Sequence, residues 1–441
     1  MLSNPRASAF AILGRTVRIL SYAFAYSLVS GYSTCRWLSL VIRSMSQLVA
    51  GLAPRNVYRG RRLHNISRLS NYPVVFVPGL ATDGSRFKQY FIVPEGMSPY
   101  GSSHDRAVEL FYYLKGGRID YGRDHAKKYG HRRYGRSFEG ALTEWSDLRP
   151  IVVISHSHGG NTVRILQRLL ATRYFADHPE TSASWIRAIV CVASPLNGCP
   201  LLYAIGMPRR STCNSMKLLN GTELGQTTGR WWSVIRIGQA IGYSVHFFLG
   251  DSTFARSIYD WGLQKWEITC GTTGCGTWFK ILLGTHTVMR TDDTAGYDLT
   301  TEGASALNSK CSLYAGTYYF TIPCVNGQIW NDRFLPFTSR CFWMLPIGLA
   351  NAFCVESCSR TPERTGNYDW RLNDLLVPTA SQIHPLGDPH CFLSLECVKR
   401  GTKISKGQWN VLPVVDCDHY TSSELSTQII SMLECVVETV A

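Results

Sequence analysis

One short stretch of the chain has the residue types and the spacing of an activated nucleophile. Ser157 stands between His156 and His158, and Gly159 and Gly160 follow directly. A serine hydroxyl is a weak nucleophile unless a nearby base takes its proton, so it must be held where a base and a carbonyl carbon both reach it. Glycines behind the serine let a sharp turn pack closely against its neighbours. The stretch predicts nucleophilic acyl transfer with Ser157 as the attacking group.

The sequence on either side of Ser157 predicts the two elements that hold it. Residues 151–154 form an uninterrupted apolar run, which is typical of a buried strand. After the glycines, the residues separate onto two faces of a helix: Val163, Leu166, Leu169 and Leu170 on one, Arg164, Gln167 and Arg168 on the other. Strand, sharp turn and helix in this order form the nucleophile elbow of α/β-hydrolases. The predicted fold class is therefore α/β, a mostly parallel sheet flanked by helices; the alternative is a serine in an ordinary loop.

An earlier apolar run, residues 74–77, ends in a turn at Gly79 and predicts a second short strand. Acyl transfer develops negative charge on the carbonyl oxygen, which needs N–H donors around it. In α/β-hydrolases one donor is the residue after the nucleophile, here His158, and the other lies in the loop after an early strand. Leu80 is the best placed second donor. The alternative is an ordinary turn that ends a strand.

The charge distribution argues against a nucleic-acid partner. The chain has 441 residues, is 45% hydrophobic and carries a formal charge of +14. Ten arginines and no acid precede Asp83, so the rest of the chain carries only +4. The excess positive charge is confined to a leader, and no basic groove is predicted elsewhere.

We assign residues 1–70 to this leader and residues 71–441 to a hydrolase domain. Arginine, serine and apolar residues without acids are typical of a mitochondrial transit peptide. The uncharged run 19–35 is slightly shorter than the ~18 residues of a membrane span, so a signal anchor or an interfacial helix is an alternative. We therefore predict a membrane-associated or organellar protein. N-glycosylation sequons at Asn65 and Asn220 would suit the secretory pathway. An N-terminal helical segment without a targeting role is also compatible with this composition.

The segment between the Gly79 turn and the elbow resembles one enzyme family. It contains Asp105-Arg106-Ala107, then Asp120-Tyr121-Gly122, then two histidines six positions apart, His125 and His131. This segment resembles the zinc-containing true lipases of staphylococci and thermophilic bacilli, which have nearly the same sequence here. The resemblance runs from about residue 72 to the C-terminal region. It implies an α/β-hydrolase that cleaves lipid esters, most of all triacylglycerols, with a membrane or lipid-droplet surface as its partner.

The same resemblance implies the two partners of Ser157. Asp374, within residues 370–378, matches the acid-bearing turn of the family, and His419 matches its catalytic histidine. The order serine, aspartate, histidine along the chain is the one that α/β-hydrolases use. His419 is then the general base for Ser157, and Asp374 orients the imidazole and stabilises its charged form.

A structural zinc ion is also implied by the resemblance. Asp105, His125 and His131 match three ligands of the family, and imidazole and carboxylate groups suit a four-coordinate zinc site. Asp260 is the suggested fourth ligand, although it precedes Trp261 by one position where the family has two. Asp292 and Asp293 are predicted to cap a helix.

Two further expectations concern the lid and calcium. Residues 199–284 are rich in tryptophan, leucine and phenylalanine and match the lid of the family, an amphipathic cover that opens at an oil surface; the alternative is a fixed helical cap. Many relatives bind calcium through acids that follow the catalytic histidine. Residues 420–424 lack those acids, so no calcium site is expected.

The sequence leaves two other function classes open. A phospholipase, a thioesterase or a lipid acyltransferase would use the same three residues on another head group or acceptor. A membrane-attached interaction protein would have kept the fold without turnover, which the intact set of catalytic residues argues against.

Overall fold

The computed structural model describes residues 57–80, 82, 84–204, 207, 243, 262–268, 276–281, 283, 285–336, 344–358, 368–400 and 402–441. Residues 1–56, most of the predicted lid and Asp260 lie outside these ranges.

A six-stranded parallel sheet lies at the centre of the described chain. The strands are β1 (Val74–Val77), β2 (Gly117–Asp120), β3 (Tyr134–Phe138), β4 (Ile151–His156), β5 (Ile186–Val192), β6 (Tyr318–Ile322), β7 (Cys324–Val325), β8 (Gly327–Trp330), β9 (Arg333–Pro336), β10 (His390–Phe392), β11 (Trp409–Val411) and β12 (Val415–Asp416). The order in the sheet is β1-β4-β5-β6-β11-β10, and all neighbours pair in parallel. Short two-stranded pairs join β2 to β3, β8 to β9 and β7 to β12. The predicted α/β-hydrolase class is confirmed.

Helices cover both faces of this sheet. They are α1 (Val57–Leu69), α2 (Ser103–Lys115), α3 (Arg123–Tyr129), α4 (His158–Ala171), α5 (Leu201–Ala204), α6 (Ala295–Asp298), α7 (Thr301–Asn308), α8 (Leu345–Cys358), α9 (Thr379–Ile383), α10 (Leu395–Lys399), α11 (His419–Ser423) and α12 (Thr427–Val440). Parallel strands need such crossovers, because the chain must return to the same edge before the next strand begins.

Two apolar clusters form the core, one on each face of the sheet. In β1, Val74 and Phe76 belong to the first cluster, which includes apolar residues of α12. Val75 and Val77 belong to the second, which includes those of α2 and α4. Successive side chains of a strand point to opposite faces, so a strand covered on both sides must be apolar throughout. This explains the uninterrupted apolar runs that predicted β1 and β4.

The first helix corrects the predicted domain boundary. Leu63 and Ile66 of α1 are buried in the first apolar cluster. Arg62 Nε donates to Glu434 Oε1 of α12 over 3.0 Å. The core therefore extends N-terminal to residue 71, into a segment that its basic composition had assigned to the leader.

Candidate active site and metal cluster

The predicted nucleophile lies in a strained turn between β4 and α4. Ser157 has φ 54° and ψ −127°, a conformation that costs a non-glycine residue free energy and is found mainly at functional sites. The two glycines after it allow close contacts. A Cβ at Gly159 would lie 2.4 Å from the Val77 carbonyl oxygen, and one at Gly160 would lie 2.5 Å from Ser194 Oγ. The predicted strand, sharp turn and helix are all present.

The structure brings Ser157, His419 and Asp374 together. His419 Nε2 lies 3.0 Å from Ser157 Oγ, and His419 Nδ1 lies 2.6 Å from Asp374 Oδ2. Asp374 is fully buried, and the other two are almost so. The sequence predicted these three residues, and the fold arranges them as nucleophile, base and orienting acid would be arranged.

The turn around Asp374 fixes the direction of its carboxylate. Oδ1 accepts hydrogen bonds from the backbone N–H groups of Leu376 and Val377, at 3.0 and 2.7 Å. Oδ2 accepts from Gln382 Nε2 at 3.1 Å in addition to the imidazole. Leu375, in between, has φ 75°, which is costly for leucine. These bonds hold Oδ2 toward the histidine.

His419 is positioned by its own backbone and by a second histidine. It opens α11, its N–H donates to the Asp374 carbonyl over 2.8 Å, and Asp418 caps the helix through Thr421 N–H. The His156 ring lies 4.8 Å from the His419 ring, centre to centre. Burial, and then the nearby His419, lower the pKa of His156 well below its usual value, so His156 stays neutral. The His156 ring therefore places no positive charge beside His419.

The two residues predicted to form the oxyanion hole lie near the nucleophile. His158 is the first residue of α4, so its N–H has no acceptor within the helix. Leu80 follows Gly79, where an added Cβ would lie 2.8 Å from Ser157 Cβ, so this turn contacts the elbow directly. The His158 imidazole points elsewhere, with Nε2 3.0 Å from Ser103 Oγ. Burial and the charge of Arg106 lower the pKa of His158 well below its usual value.

A second cluster of polar side chains can hold a metal ion. One ligand atom from each of Asp105, His125, His131 and Asp293 lies within 4.8 Å of all the others. Asp105 is in the first turn of α2, His125 is in α3, and His131 follows that helix. Three of the four predicted metal ligands therefore meet. Asp260, the fourth, lies outside the described residues.

Among the described residues, Asp293 is the fourth member of the cluster, which corrects its predicted role as a helix cap. The N-cap of α6 is Thr294, whose hydroxyl accepts the Tyr297 N–H, and Asp293 is left to face the histidines. Its Oδ2 lies 3.3 Å from His125 Nε2 and 3.4 Å from His131 Nε2. The sequence contained the signal, an acid beside a helix start, but capping explained it equally well.

Lys265 supplies positive charge to the same cluster. Its ammonium contacts Asp105 Oδ2 and lies 3.9 Å from Asp293 Oδ2. Burial lowers the pKa of Lys265 to about 8. Burial alone would raise the pKa of Asp293, but Lys265 and the two imidazoles outweigh it and hold this pKa well below its usual value. Asp293 is thus held as a carboxylate, and Lys265 offsets part of its negative charge.

A family model described as "Lipase-like, C-terminal domain" matches residues 83–423. The chain belongs to this family. Lipase 2 of Staphylococcus aureus is 27% identical over 390 residues, which cover 81% of the chain and 50% of that protein. The lipase of Staphylococcus hyicus is 29% identical over 330 residues, with 72% and 45% covered. The chain spans about half the length of these curated relatives.

A solved structure agrees with these relatives. The crystal structure of Staphylococcus hyicus lipase superposes with a TM-score of 0.58 at 25% identity, and the match covers 83% of this chain and 92% of the other. The resemblance to staphylococcal lipases that the sequence motifs indicated is confirmed.

The relatives contradict the predicted membrane-associated or organellar location. They are lipases that staphylococci secrete. Within the described ranges, no helix is both long enough and apolar enough to cross a bilayer. The prediction was wrong because it rested on the composition of the leader, and leaders of different destinations share a basic, apolar composition.

Proposed function

We propose that this chain is a serine lipase that hydrolyses the ester bonds of triacylglycerols. One observation carries the proposal: Asp374 Oδ2, His419 and Ser157 Oγ form a continuous relay with contacts of 2.6 and 3.0 Å on an α/β-hydrolase sheet. Membership of a lipase-like family and similarity to staphylococcal lipases support the substrate class.

The geometry supports a two-step acyl transfer. His419 Nε2 removes the hydroxyl proton as Ser157 Oγ attacks the ester carbonyl, and it then protonates the leaving alcohol. Asp374 keeps Nδ1 protonated and directed, and it stabilises the imidazolium. Water, activated by the same histidine, then attacks the acyl-enzyme and releases the fatty acid. The backbone N–H groups of His158 and Leu80 stabilise the negative oxygen in both steps.

We further propose that the enzyme works at the surface of aggregated lipid, such as an oil droplet, with residues 199–284 as a lid over the acyl-binding region. A lid excludes water while it is closed and exposes apolar surface when it opens. Hydrolysis rates measured below and above the solubility limit of a short-chain triacylglycerol test this, because a lid predicts a rise at that limit.

The decisive experiment compares emulsified triacylglycerol with phospholipid and acyl thioester vesicles, using wild type and Ser157→Ala. Triacylglycerol should be the best substrate, and Ser157→Ala should lose all hydrolysis and all labelling by a fluorophosphonate probe. A preference for phospholipid or thioester would favour a phospholipase or a thioesterase instead. A mutant that labels as strongly as wild type would refute the assignment of Ser157.

We also propose that the four-residue cluster binds one structural zinc ion. Zinc takes nitrogen and oxygen ligands at about 2.0–2.2 Å, which places neighbouring ligand atoms of a tetrahedron roughly 3.3–3.6 Å apart. The contacts between His125 and the two carboxylates, at 3.0 and 3.3 Å, are close to this spacing. Among the described residues, Asp105 has ion-pair contacts with His125 and Lys265 but accepts no well-aligned side-chain hydrogen bond. The ligand atoms thus converge on one point, with the Lys265 ammonium occupying part of the space that a bound cation would take.

With four protein ligands the site would be closed, so the ion would stabilise the fold and would not activate water. Elemental analysis should find about one zinc per chain. His125→Ala should lose the metal and unfold at a lower temperature, whereas His178→Ala should keep it, because His178 is half-buried away from the cluster and pairs with Glu180. A wild type whose melting temperature is unchanged by strong chelation would refute the zinc site.

A further inference from the structure

A buried arginine in the first turns of α2 connects the two segments that carry the oxyanion donors. We propose that Arg106 is a positioning residue for the oxyanion hole. Its guanidinium fixes the turn that carries Leu80 relative to the helix that carries His158. The inference rests on the proposed function, because it assigns a role within the same site.

Arg106 is only 1% exposed and donates from three nitrogens to three separate segments. Nη2 donates to the Pro78 carbonyl at 2.6 Å, and Nη1 donates to the Ser98 carbonyl at 3.1 Å. Nε donates to Thr162 Oγ1 of α4 at 3.1 Å. A planar guanidinium holds these three directions at fixed angles, which a lysine ammonium on a flexible stem does not.

The bond to Pro78 acts on the first oxyanion segment. The Pro78 carbonyl belongs to the peptide unit that joins Pro78 to Gly79, one residue before Leu80. A charge-assisted hydrogen bond is short and directional, so it fixes the plane of this peptide. The turn has little freedom on the side of the elbow, because a Cβ at Gly79 would lie 2.8 Å from Ser157 Cβ.

The bond to Thr162 acts on the second oxyanion segment. The Thr162 hydroxyl accepts from Arg106 and donates to the His158 carbonyl over 3.2 Å. Ser103, one turn before Arg106 in α2, contacts the His158 imidazole at 3.0 Å. The start of α2 therefore reaches the His158 backbone through Thr162 and contacts the His158 ring directly, and it contacts the Leu80 turn through Pro78.

The distance between the two donors decides how well a tetrahedral intermediate is bound. Oxyanion donors act only if they lie about 2.7–3.1 Å from the position of the charged oxygen. Ground-state binding of the ester does not depend on them to the same extent. Loss of Arg106 should therefore lower kcat and leave KM nearly unchanged.

The test uses the full chain with Arg106→Gln and Arg106→Lys, assayed on p-nitrophenyl butyrate. Active sites are titrated with a fluorophosphonate, so that kcat refers to competent enzyme. We expect kcat to fall roughly 10–100-fold in Arg106→Gln and less in Arg106→Lys, with KM within about threefold of wild type. The inhibition constant of an alkyl boronic acid, whose serine adduct places an oxygen in the oxyanion hole, should rise by the same factor as kcat falls.

Arg164→Gln is the matched control. Arg164 is also buried, but it lies on α4 and donates to Asn308 Oδ1 over 2.8 Å. The Arg164→Gln variant should have the wild-type kcat per active site and the wild-type inhibition constant for the boronic acid. If the Arg106 variants do not fold, Thr162→Val tests the proposal in their place. It removes the hydroxyl between Arg106 and the His158 carbonyl, so we expect its kcat to fall roughly 3–10-fold.

The outcomes separate the two proposals. Wild-type turnover that disappears in Ser157→Ala supports the proposed function whatever the Arg106 variants do. If the Arg106 variants fold and keep the wild-type kcat and inhibition constant, the positioning role alone is overturned. If they do not fold, a wild-type kcat in Thr162→Val overturns it. A loss of active sites, with unchanged kcat for those that remain, also overturns it, because that is the signature of a purely structural arginine.

Discussion

Replacing Gly159 by alanine should damage catalysis more than stability. The new Cβ would lie 2.4 Å from the Val77 carbonyl oxygen and 3.0 Å from that of Pro78. Real Cβ contacts stay above 3.0 Å, so the helix that begins after Ser157 and the strand end at Val77 must separate by at least about 0.6 Å. Both contacts are backbone atoms, which cannot rotate away as a side chain would.

Overpacking of this size costs about 1–3 kcal/mol of unfolding free energy. The same displacement moves the Leu80 turn away from His158. Misplacement of catalytic groups by about 1 Å lowers rates by ~100-fold, so we expect kcat to fall roughly 10–100-fold. The measurement is ester hydrolysis per titrated active site, together with urea unfolding followed by circular dichroism.

Gly316→Ala is the matched control, because a Cβ there meets no atom within 4 Å and the backbone is not left-handed. It should change stability by less than about 0.5 kcal/mol and leave kcat unchanged. A Gly159→Ala protein that keeps the wild-type rate and stability would refute the close contact between the elbow and the strand end.

Three other predictions test the site and the fold. Asp374→Asn should lower kcat by about 10⁴-fold with little change in KM, and a loss under tenfold would argue against its orienting role. Burial raises the pKa of Asp298 to about 7, so the folded chain keeps a proton that the unfolded chain releases, and stability falls as pH rises from about 4 to 7. Asp298→Asn should therefore be more stable than wild type at pH 8, by roughly 2–4 kcal/mol of unfolding free energy measured in urea. This gain in stability should shrink toward pH 4, and an equal gain at both pH values would exclude the ionisation of Asp298 as its cause. A calcium-selective chelator should leave activity and melting temperature unchanged, and a fall in either would reveal a calcium site built from other residues.

The elbow was predictable because its signal is local. An apolar strand, a serine, two glycines and an amphipathic helix follow one another within 21 residues, 151–171, and each has a direct physical reason. The other two proposed catalytic residues are 217 and 262 positions from Ser157 and could be assigned only through resemblance to a family. Spacing along the chain does not encode which distant turns meet at the edge of a sheet.

Residues that join separate segments through side-chain hydrogen bonds escaped the sequence analysis altogether. Gln382 and Arg106 bond to groups in other segments, and nothing in their local pattern marks those partners. Asp293 escaped for a different reason, since an acid before a helix start fits capping and metal binding equally well. The boundary at residue 70 followed charge, whereas α1 is held by Leu63 and Ile66 in the core.

The separation of the relay along the chain has a consequence during protein synthesis. Ser157 and His419 are 262 residues apart, and β11 and β10, which complete the sheet, are both C-terminal to residue 389. Parallel pairing over such distances forms late, because loop closure must come before the contacts that stabilise it. A nascent chain that has not yet reached residue 419 therefore contains the elbow without its proposed base. Under the proposed mechanism, such a nascent chain stays inert toward ester bonds until residue 419 has been made and the sheet around it has formed.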